Sequence, residues 1–100
     1  MCSFSPYFKG VTHAKTFRKS GLLGAYVSLY FADLGARVIK VEDTKTGDLV
    51  RGEHPQVNGE SYYHYALNRN KESVSFNLKD PEVQARFYDL IKKADVLVEN

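Results

Sequence analysis

The pattern of apolar and polar residues changes at Gly21, and the first helix that it predicts begins there. In LLGAYVSLYFADLG, residues 22–35, apolar residues recur three and four positions apart, which is typical of a largely buried helix. The side chains expected to be buried are Leu22, Leu23, Tyr26, Leu29, Tyr30 and Leu34. Ser20 suits the N-cap of this helix, and Gly35 suits the left-handed residue that follows its last turn.

A strand, a long loop and a short helix are predicted next. ARVIKVED, residues 36–43, is rich in β-branched residues and predicts a strand. Residues 44–61 are rich in glycine, asparagine and charge, and loops of this length tend to be functional or flexible. YYHYALNRNK, residues 62–71, predicts a short helix that leads into a basic turn. Residues 1–20 show little periodicity, so we expect an irregular or divergent leader there and no strand.

The last third of the chain predicts a strand, a helix and a second strand. In SVSFNLK, residues 73–79, apolar and polar residues alternate strictly, which is typical of a strand with one buried face. Asp80 suits a helix N-cap, and Pro81 suits the first helical position, where its missing N–H costs nothing. DVLV, residues 95–98, is a short apolar run of the kind that parallel sheets bury. This right-handed crossover unit predicts an α/β fold with a parallel sheet.

Composition and charge narrow the classes of protein that this chain can represent. With 43% apolar and 26% charged residues, the chain has the composition of an ordinary soluble globular protein. A net charge of +2 with scattered lysines and arginines argues against a nucleic-acid partner. No apolar run approaches the roughly 18–20 residues that cross a bilayer, so we expect no membrane association. The single cysteine, Cys2, fits a reducing compartment and predicts a cytoplasmic location.

Several groups of residues could carry chemistry, and the residues alone leave alternatives open. Gly21, Gly24 and Glu42 have about the spacing of a dinucleotide-binding fingerprint, but the preceding strand and a third glycine are missing. The three histidines lie far apart in sequence, so no metal site is expected. Arg51 in GDLVRG either binds a phosphate through its planar fork or is a solvated loop arginine.

The basic turn NRNK, residues 68–71, presents a similar choice. Its donors either face a phosphate-bearing ligand or belong to an ordinary surface turn. Glu99 and Asn100 follow the last predicted strand, at the edge where open α/β sheets bind their ligands. Because a domain rarely ends on an apolar strand, we expect this chain to be the N-terminal piece of a longer protein.

Four motifs occur together in an order that resembles one enzyme family. ADLGARVIKVED, GDLVRG, YALNRNKESVSFNLKDPE and ADVLVEN have the order and spacing found near the start of class III CoA-transferases. This family includes formyl-CoA transferase, the carnitine and bile-acid CoA-transferases and α-methylacyl-CoA racemase. The resemblance covers residues 20–100 and implies that residues 1–100 form the N-terminal portion of a Rossmann-like large domain.

The resemblance also implies a reaction. Transferases of this family move coenzyme A from an acyl-CoA to a carboxylic acid acceptor, without a metal. An aspartate attacks the thioester and forms anhydride and enzyme-bound thioester intermediates, which is nucleophilic catalysis by a carboxylate. The family's racemases instead exchange the α-proton through a carboxylate and a histidine. Members form homodimers whose two chains interlock.

The resemblance places contacts with coenzyme A at defined positions of this sequence. These positions are Leu22, Leu23, Arg51, Phe76, Asn77, Leu78, Lys79 and Asn100. Two positions depart from the family pattern: Leu22 replaces a glutamine of formyl-CoA transferases, and Asp43 stands where some members carry a CoA-contacting arginine. The nucleophilic aspartate is expected beyond residue 100, so no catalytic residue is assigned and the chain alone is expected to be inactive. A racemase-like enzyme, a non-catalytic remnant and a dinucleotide-binding Rossmann fragment are the alternatives.

Overall fold

The computed structural model describes the backbone of residues 12–16 and all of residues 22–99. In chain order, the elements are β1 (Thr12–Thr16), α1 (Leu22–Asp33), β2 (Arg37–Glu42), β3 (Gln56–Val57), β4 (Glu60–Ser61), α2 (Tyr62–Asn68), β5 (Lys71–Ser75), α3 (Pro81–Lys92) and β6 (Val96–Glu99). A 3₁₀ turn, Leu49–Gly52, lies between β2 and β3. Asn100, one of the predicted site residues, and Ser20, the predicted N-cap, lie outside the described residues.

Four of these strands form a parallel sheet, which confirms the predicted fold class. The strand order is β5-β2-β1-β6, and each neighbouring pair is parallel. β3 and β4 form a separate antiparallel pair. Because all four strands of the sheet run the same way, their carboxyl ends lie at one edge. The first helix, the 43–52 loop and the start of α3 are all attached to that edge.

The expectation that residues 1–20 contain no strand was wrong for β1. This strand lies inside the sheet, where Thr12 pairs with Arg37 of β2 and Thr16 pairs with Glu99 of β6. The sequence THAKT lacks the continuous apolar run that usually marks a central parallel strand. Backbone hydrogen bonds from neighbours on both sides define the strand, and a local sequence pattern cannot report those partners.

Helix α1 has the predicted extent but a different buried face. Gly35 follows it with φ +94°, as its sequence position predicted. The buried residues are Gly24, Ala25, Ser28, Leu29 and Ala32. Leu29 is thus the one correct member of the predicted set, because Leu23 and Tyr30 are 70% and 69% exposed and the others are also largely exposed. Small residues face inward because α1 packs closely, with Ala25 and Leu29 against Leu67 of α2.

The strand β5 ends earlier than the alternating pattern predicted. It spans Lys71–Ser75, the Phe76 amide still donates to the Glu42 carbonyl of β2 at 2.9 Å, and residues 77–80 lead into α3. The start of α3 is confirmed: the Asp80 side chain accepts a hydrogen bond from the Glu82 amide, and Pro81 occupies the first turn. Phe87 is the buried residue of α3, and its ring meets that of Phe76 edge-on at 6.3 Å between centroids.

The two sides of the sheet differ in chemistry. Alternation along β2 and β5 places Lys40, Glu42, Lys71 and Ser73 on the side of α1, which we call the polar side. The opposite residues are Ile39, Val41, Val74 and Phe76, and we call this the apolar side. Helix α3 lies over the apolar side, where Phe76 contacts Phe87.

Candidate functional site at the carboxyl edge

The topology brings most of the predicted site residues to one edge of the sheet. Leu22 and Leu23 form the first turn of α1, which follows β1. Residues 76–79 follow the carboxyl end of β5, and Arg51 lies in the 3₁₀ turn after β2. Ligands of open α/β sheets bind at this edge, which is therefore the candidate binding site.

The carboxylate of Glu42, the last residue of β2, receives hydrogen bonds from three residues on two other segments of the chain. Its Oε2 accepts from the Asp48 amide and from Arg51 Nε, both at 2.9 Å. Its Oε1 accepts from Arg51 Nη2 at 3.0 Å and from Ser73 Oγ at 2.9 Å. Burial alone would raise the pKa of Glu42, but the hydrogen bonds from Arg51 and Ser73 and the charge of Lys40 hold that pKa at about 2. The carboxylate is therefore ionised and fully engaged.

A second ion pair lies beside this carboxylate. Lys40 Nζ is 2.5 Å from Asp48 Oδ2 and 3.6 Å from Glu42 Oε1. Lys40 and Asp48 are each only 1% exposed, so their charges have little access to water. Buried charges persist when each has an opposite partner, and here cations and carboxylates alternate. We call Lys40, Glu42, Asp48, Arg51 and Ser73 the Glu42 network.

The loop of residues 43–52 is shaped around this network. Asp43 Oδ1 accepts hydrogen bonds from the amides of Lys45 at 2.8 Å and Thr46 at 3.0 Å, and these bonds lower the pKa of Asp43. Gly47 has φ +64°, and a Cβ at this position would lie 3.2 Å from Glu42 Oε2. The motif GDLVRG thus has a physical basis, because its glycine permits the close approach while its aspartate and arginine supply the charges.

Arg51 pairs with a carboxylate that the sequence analysis did not identify as its partner. Its Nε and Nη2 are paired with the Glu42 carboxylate, which raises the pKa of Arg51. The side chain is nevertheless 49% exposed. The fork formed by Nε and Nη2 is thus already occupied by a carboxylate. We call the remaining nitrogen, Nη1, the outer side of the guanidinium. Direct contact of Arg51 with coenzyme A remains a prediction.

The donors of the basic turn contact the protein itself. Arg69 Nη2 donates to Asp33 Oδ2 at 2.7 Å, and Asn70, which has φ +62°, donates to Asp33 Oδ1 at 3.3 Å. Lys71 Nζ donates to the Ala25 carbonyl at 3.0 Å. Burial, with the charge of Lys40, lowers the pKa of Lys71 to about 8. These contacts favour the structural alternative, in which the turn fastens β5 and α2 to α1.

Residues 76–79 form a turn with a fixed backbone and exposed polar side chains. Asn77 Oδ1 accepts from the Lys79 amide at 3.2 Å, and the Leu78 carbonyl accepts from Gln84 Nε2 at 2.6 Å. The side chains of Asn77 and Lys79 are exposed at the carboxyl edge. The charge of Lys79 contributes to lowering the pKa of Asp43, so these two side chains lie near one another.

The chemistry available at this edge is anion binding. Lys79, Asn77 and the outer side of Arg51 are donors, whereas Glu42, Asp43 and Asp48 are already engaged in hydrogen bonds or ion pairs. Among residues 22–99, no group of three or more histidine, cysteine or acidic side chains is arranged to bind a metal ion. In the same part of the chain, no helix combines the length and apolar character needed to span a membrane.

Sequence reasoning missed Lys40 and the role of Glu42. The available signal was the strand sequence VIKVE, in which two charged residues stand two positions apart and therefore share one side of the sheet. Since central parallel strands are buried on both sides, such a pair requires partners from elsewhere in the chain. Asp48 and Arg51 are those partners.

The family model for CoA-transferase family III matches residues 19–100. The chain belongs to CoA-transferase family III. Acetyl-CoA:oxalate CoA-transferase of Acetobacter aceti is 44% identical over 79 residues, which are 79% of this chain and 20% of that protein. Mouse succinyl-CoA:glutarate CoA-transferase is 44% identical over 80 residues, covering 79% of this chain and 18% of the relative.

A solved structure agrees with this family assignment. The crystal structure of a CAIB/BAIF family protein from Brucella suis superposes with a TM-score of 0.82 and 33% sequence identity. The match covers 98% of this chain and 26% of the Brucella chain. The family III chain described here thus spans about a fifth of the length of these curated relatives and about a quarter of this structural neighbour.

Proposed function

We propose that this chain is the coenzyme A-binding part of a family III CoA-transferase that moves coenzyme A between carboxylic acids. The observation that carries the proposal is the family match over residues 19–100. It is supported by the gathering of exposed donors at the carboxyl edge. The chain contributes the first part of a Rossmann-like domain, and its strand order β5-β2-β1-β6 agrees with one half of such a sheet.

The binding residues follow from the edge geometry and the family resemblance. Phe76, Asn77, Leu78 and Lys79 contact the adenosine and phosphate part of coenzyme A, with the Lys79 ammonium as the main countercharge. Leu22 and Leu23 lie near the thioester, and both are exposed at the start of α1. Arg51, through its outer side, and Asn100 complete the set.

The reaction requires a nucleophile that this chain does not supply. In the proposed mechanism, an aspartate carboxylate attacks the acyl-CoA thioester and expels the thiolate of coenzyme A, which leaves a mixed anhydride. The thiolate then attacks the aspartyl carbonyl of that anhydride, releases the donor acid as its carboxylate and forms an enzyme-bound thioester. The acceptor carboxylate takes coenzyme A from this thioester by the same two steps in reverse. Glu42 and Asp48 are committed to the Glu42 network, and Asp43 accepts the amides of its own loop. From the family resemblance, the nucleophilic aspartate is expected in sequence beyond residue 100, and the 100-residue chain alone is expected to be inactive.

The assembly and location are part of the same proposal. We place the family III enzyme in the cytoplasm, as an interlocked homodimer that takes an acyl-CoA and a carboxylic acid acceptor as substrates. The exposed apolar face of α1, which includes Leu23, Tyr26 and Tyr30, supports burial of this helix in a larger assembly.

Titration of the purified chain with coenzyme A and with NAD tests the binding proposal. Circular dichroism first verifies that the chain is folded, and calorimetry then measures both affinities. A folded chain should bind coenzyme A, and Lys79→Ala should weaken that affinity about tenfold, which is about 1.4 kcal/mol. Lys93→Ala removes the same charge at the far end of α3 and should leave the affinity unchanged.

Two results would contradict the proposal. A folded chain that binds NAD but not coenzyme A would favour the dinucleotide-binding alternative, and one that binds neither would exclude this edge as the site. If the isolated chain does not fold, residues 19–100 replace the matching segment of acetyl-CoA:oxalate CoA-transferase, and the KM for acyl-CoA becomes the measured quantity. In that chimera, α-proton exchange without transfer to an acceptor acid would favour the racemase-like alternative.

A further inference from the structure

We propose that Glu42 is a positioning residue for acyl-CoA binding: it orients Arg51 and fixes the 43–52 loop against β5. The inference rests on the proposed function, because it concerns the same edge of the sheet. Glu42 itself is 4% exposed and has no direct path to a ligand. Its effect on binding must therefore pass through the groups that it holds.

The first argument is that one carboxylate joins three separate segments. Glu42 belongs to β2, the Asp48 amide and Arg51 belong to the loop, and Ser73 belongs to β5. Four donors lie between 2.9 and 3.0 Å from its two oxygens. Ser73 lies on the strand that leads directly into residues 76–79, so Glu42 relates the loop to that turn.

The second argument concerns the freedom of Arg51. A half-exposed arginine normally samples many rotamers, and fixing it when a ligand binds costs conformational entropy. The bidentate contact with Glu42 fixes the guanidinium before any ligand arrives, and such preorganisation improves affinity. The outer side of Arg51 then has a defined position at the carboxyl edge.

The third argument is that the middle of the loop passes directly against the Glu42 carboxylate. Gly47 passes so close to Glu42 Oε2 that a Cβ there would lie 3.2 Å away. Asp48 continues the network to Lys40. The charged and titratable groups around Glu42 are Lys40 on its own strand, Asp48 and Arg51 on the loop, and His64 on α2, with the hydroxyl of Ser73 on β5.

A matched pair of variants provides the main test. Glu72 of β5 makes the same bidentate contact with Nε and Nη2 of an arginine, Arg37 of β2, but at the opposite edge and with 59% of its side chain exposed. Glu42→Gln should raise the KM or Kd for acyl-CoA about tenfold and leave kcat within about twofold. Glu72→Gln should change neither.

A double-mutant cycle separates positioning from a direct role of Arg51. Glu42→Gln and Arg51→Gln should each weaken acyl-CoA binding, and the double variant should be little worse than either single variant. Arg51→Lys, which retains the charge without the fork, should recover part of the loss. Additive losses in folded proteins would overturn the inference, because Glu42 would then act independently of Arg51.

The pH profile supplies a measurement that does not depend on the folding of the Glu42→Gln variant. In the wild-type protein, affinity should not respond to Glu42 between pH 4 and 7, because this carboxylate is already ionised there, with a pKa of about 2. Arg51→Gln removes the main group that lowers this pKa, so Glu42 becomes protonated at a higher pH in this variant. Because Glu42 acts through Arg51, the remaining affinity should not follow that protonation, and its pH profile should stay parallel to that of the wild type. A steeper loss of affinity in acid for Arg51→Gln than for wild type would overturn the inference. Absence of any coenzyme A binding by the wild-type protein would instead overturn the proposed function.

Discussion

The polar and apolar sides of the sheet use the same two strands in different ways. On the apolar side, Ile39 of β2 and Val74 of β5 lie beside α3, and Phe76 meets Phe87. On the polar side, Lys40 and Glu42 are as deeply buried as the valines beside them, yet both are charged. The apolar side is covered by a regular amphipathic helix, whereas a loop covers the network.

This difference shows where stability and function are separated in the chain. Apolar contacts stabilise without fixing direction, so α3 can pack with modest geometric demands. Buried charges stabilise only when every partner is in place, and they therefore specify one loop conformation. The polar side thus defines the geometry of the carboxyl edge, and the apolar side holds the sheet beneath it.

Removal of one buried charge should have the largest effect on the free energy of unfolding. Lys40→Met leaves Asp48 without a cation and should lower the free energy of unfolding by about 3–5 kcal/mol. Urea denaturation followed by circular dichroism measures this change. Lys40→Met combined with Asp48→Leu should recover part of the loss, because no unpaired charge then remains. A loss below about 1 kcal/mol for the single variant would show that the network contributes little.

Removal of the main apolar contact should lower the free energy of unfolding by a slightly smaller amount. Phe87→Ala deletes the buried ring of α3 and should cost about 3 kcal/mol in the same assay. Phe87→Leu retains most of the apolar volume and should cost clearly less. Because Phe87 packs against Phe76, a proposed coenzyme A contact, Phe87→Ala should also weaken acyl-CoA affinity, whereas Phe87→Leu keeps an apolar contact with Phe76 and should change that affinity little. A large affinity loss for Phe87→Leu would contradict the separation of the two sides.

Low pH should reduce the contribution of the polar side to stability more than that of the apolar side. The pKa of Glu42 falls from an ordinary value of 4.5 to about 2 in the folded protein, so its contribution to stability is present above pH 4.5 and is lost as pH falls toward 2. Thermal unfolding from pH 6 to 2 should therefore show a shallower decline for Glu42→Gln than for wild type. Phe87→Leu should keep the wild-type slope, and equal slopes for all three proteins would argue against the ionised Glu42.

The smallest effect is expected at the exposed ion pair. Glu72→Gln breaks the pair with Arg37, whose side chains are 58% and 59% exposed, and should cost less than about 1 kcal/mol. Its effect should vanish in high salt, whereas that of Glu42→Gln should persist because the Glu42 network is buried. Similar salt dependence for both variants would remove the distinction between the two Arg–Glu pairs.

Local patterns predicted the apolar side well. Asp80 and Pro81 marked the start of α3, and the strict alternation around Val74 identified β5, although its end was placed too late. These signals depend on neighbours in sequence, which a single chain reveals. Gly35 was similarly recognisable because the left-handed conformation after a helix favours glycine.

The polar side and β1 were not predicted, because both depend on contacts between residues that lie far apart in sequence. From its sequence neighbours alone, Lys40 would be predicted to lie on the exposed side of a strand. Its contact with Asp48 explains why it is buried. Arg51 lies nine residues from Glu42, and Ser73 lies 31 residues away, so no local pattern joins them. The buried face of α1 was misjudged because large apolar residues were assumed to point inward, while close packing selected small ones.

The inward positions of helix α1 should therefore respond to substitution in the opposite way to those of most amphipathic helices. In most amphipathic helices, inward positions tolerate changes of shape more readily than changes of polarity. In α1, the inward positions Ala25, Ser28 and Ala32 restrict size, since larger side chains would push the helix away from α2 at Ala25 and from β2 at Ala32. Such a shift would also separate the Ala25 carbonyl from Lys71 Nζ. A saturation scan of this helix should show a helical period in side-chain volume and almost none in hydrophobicity.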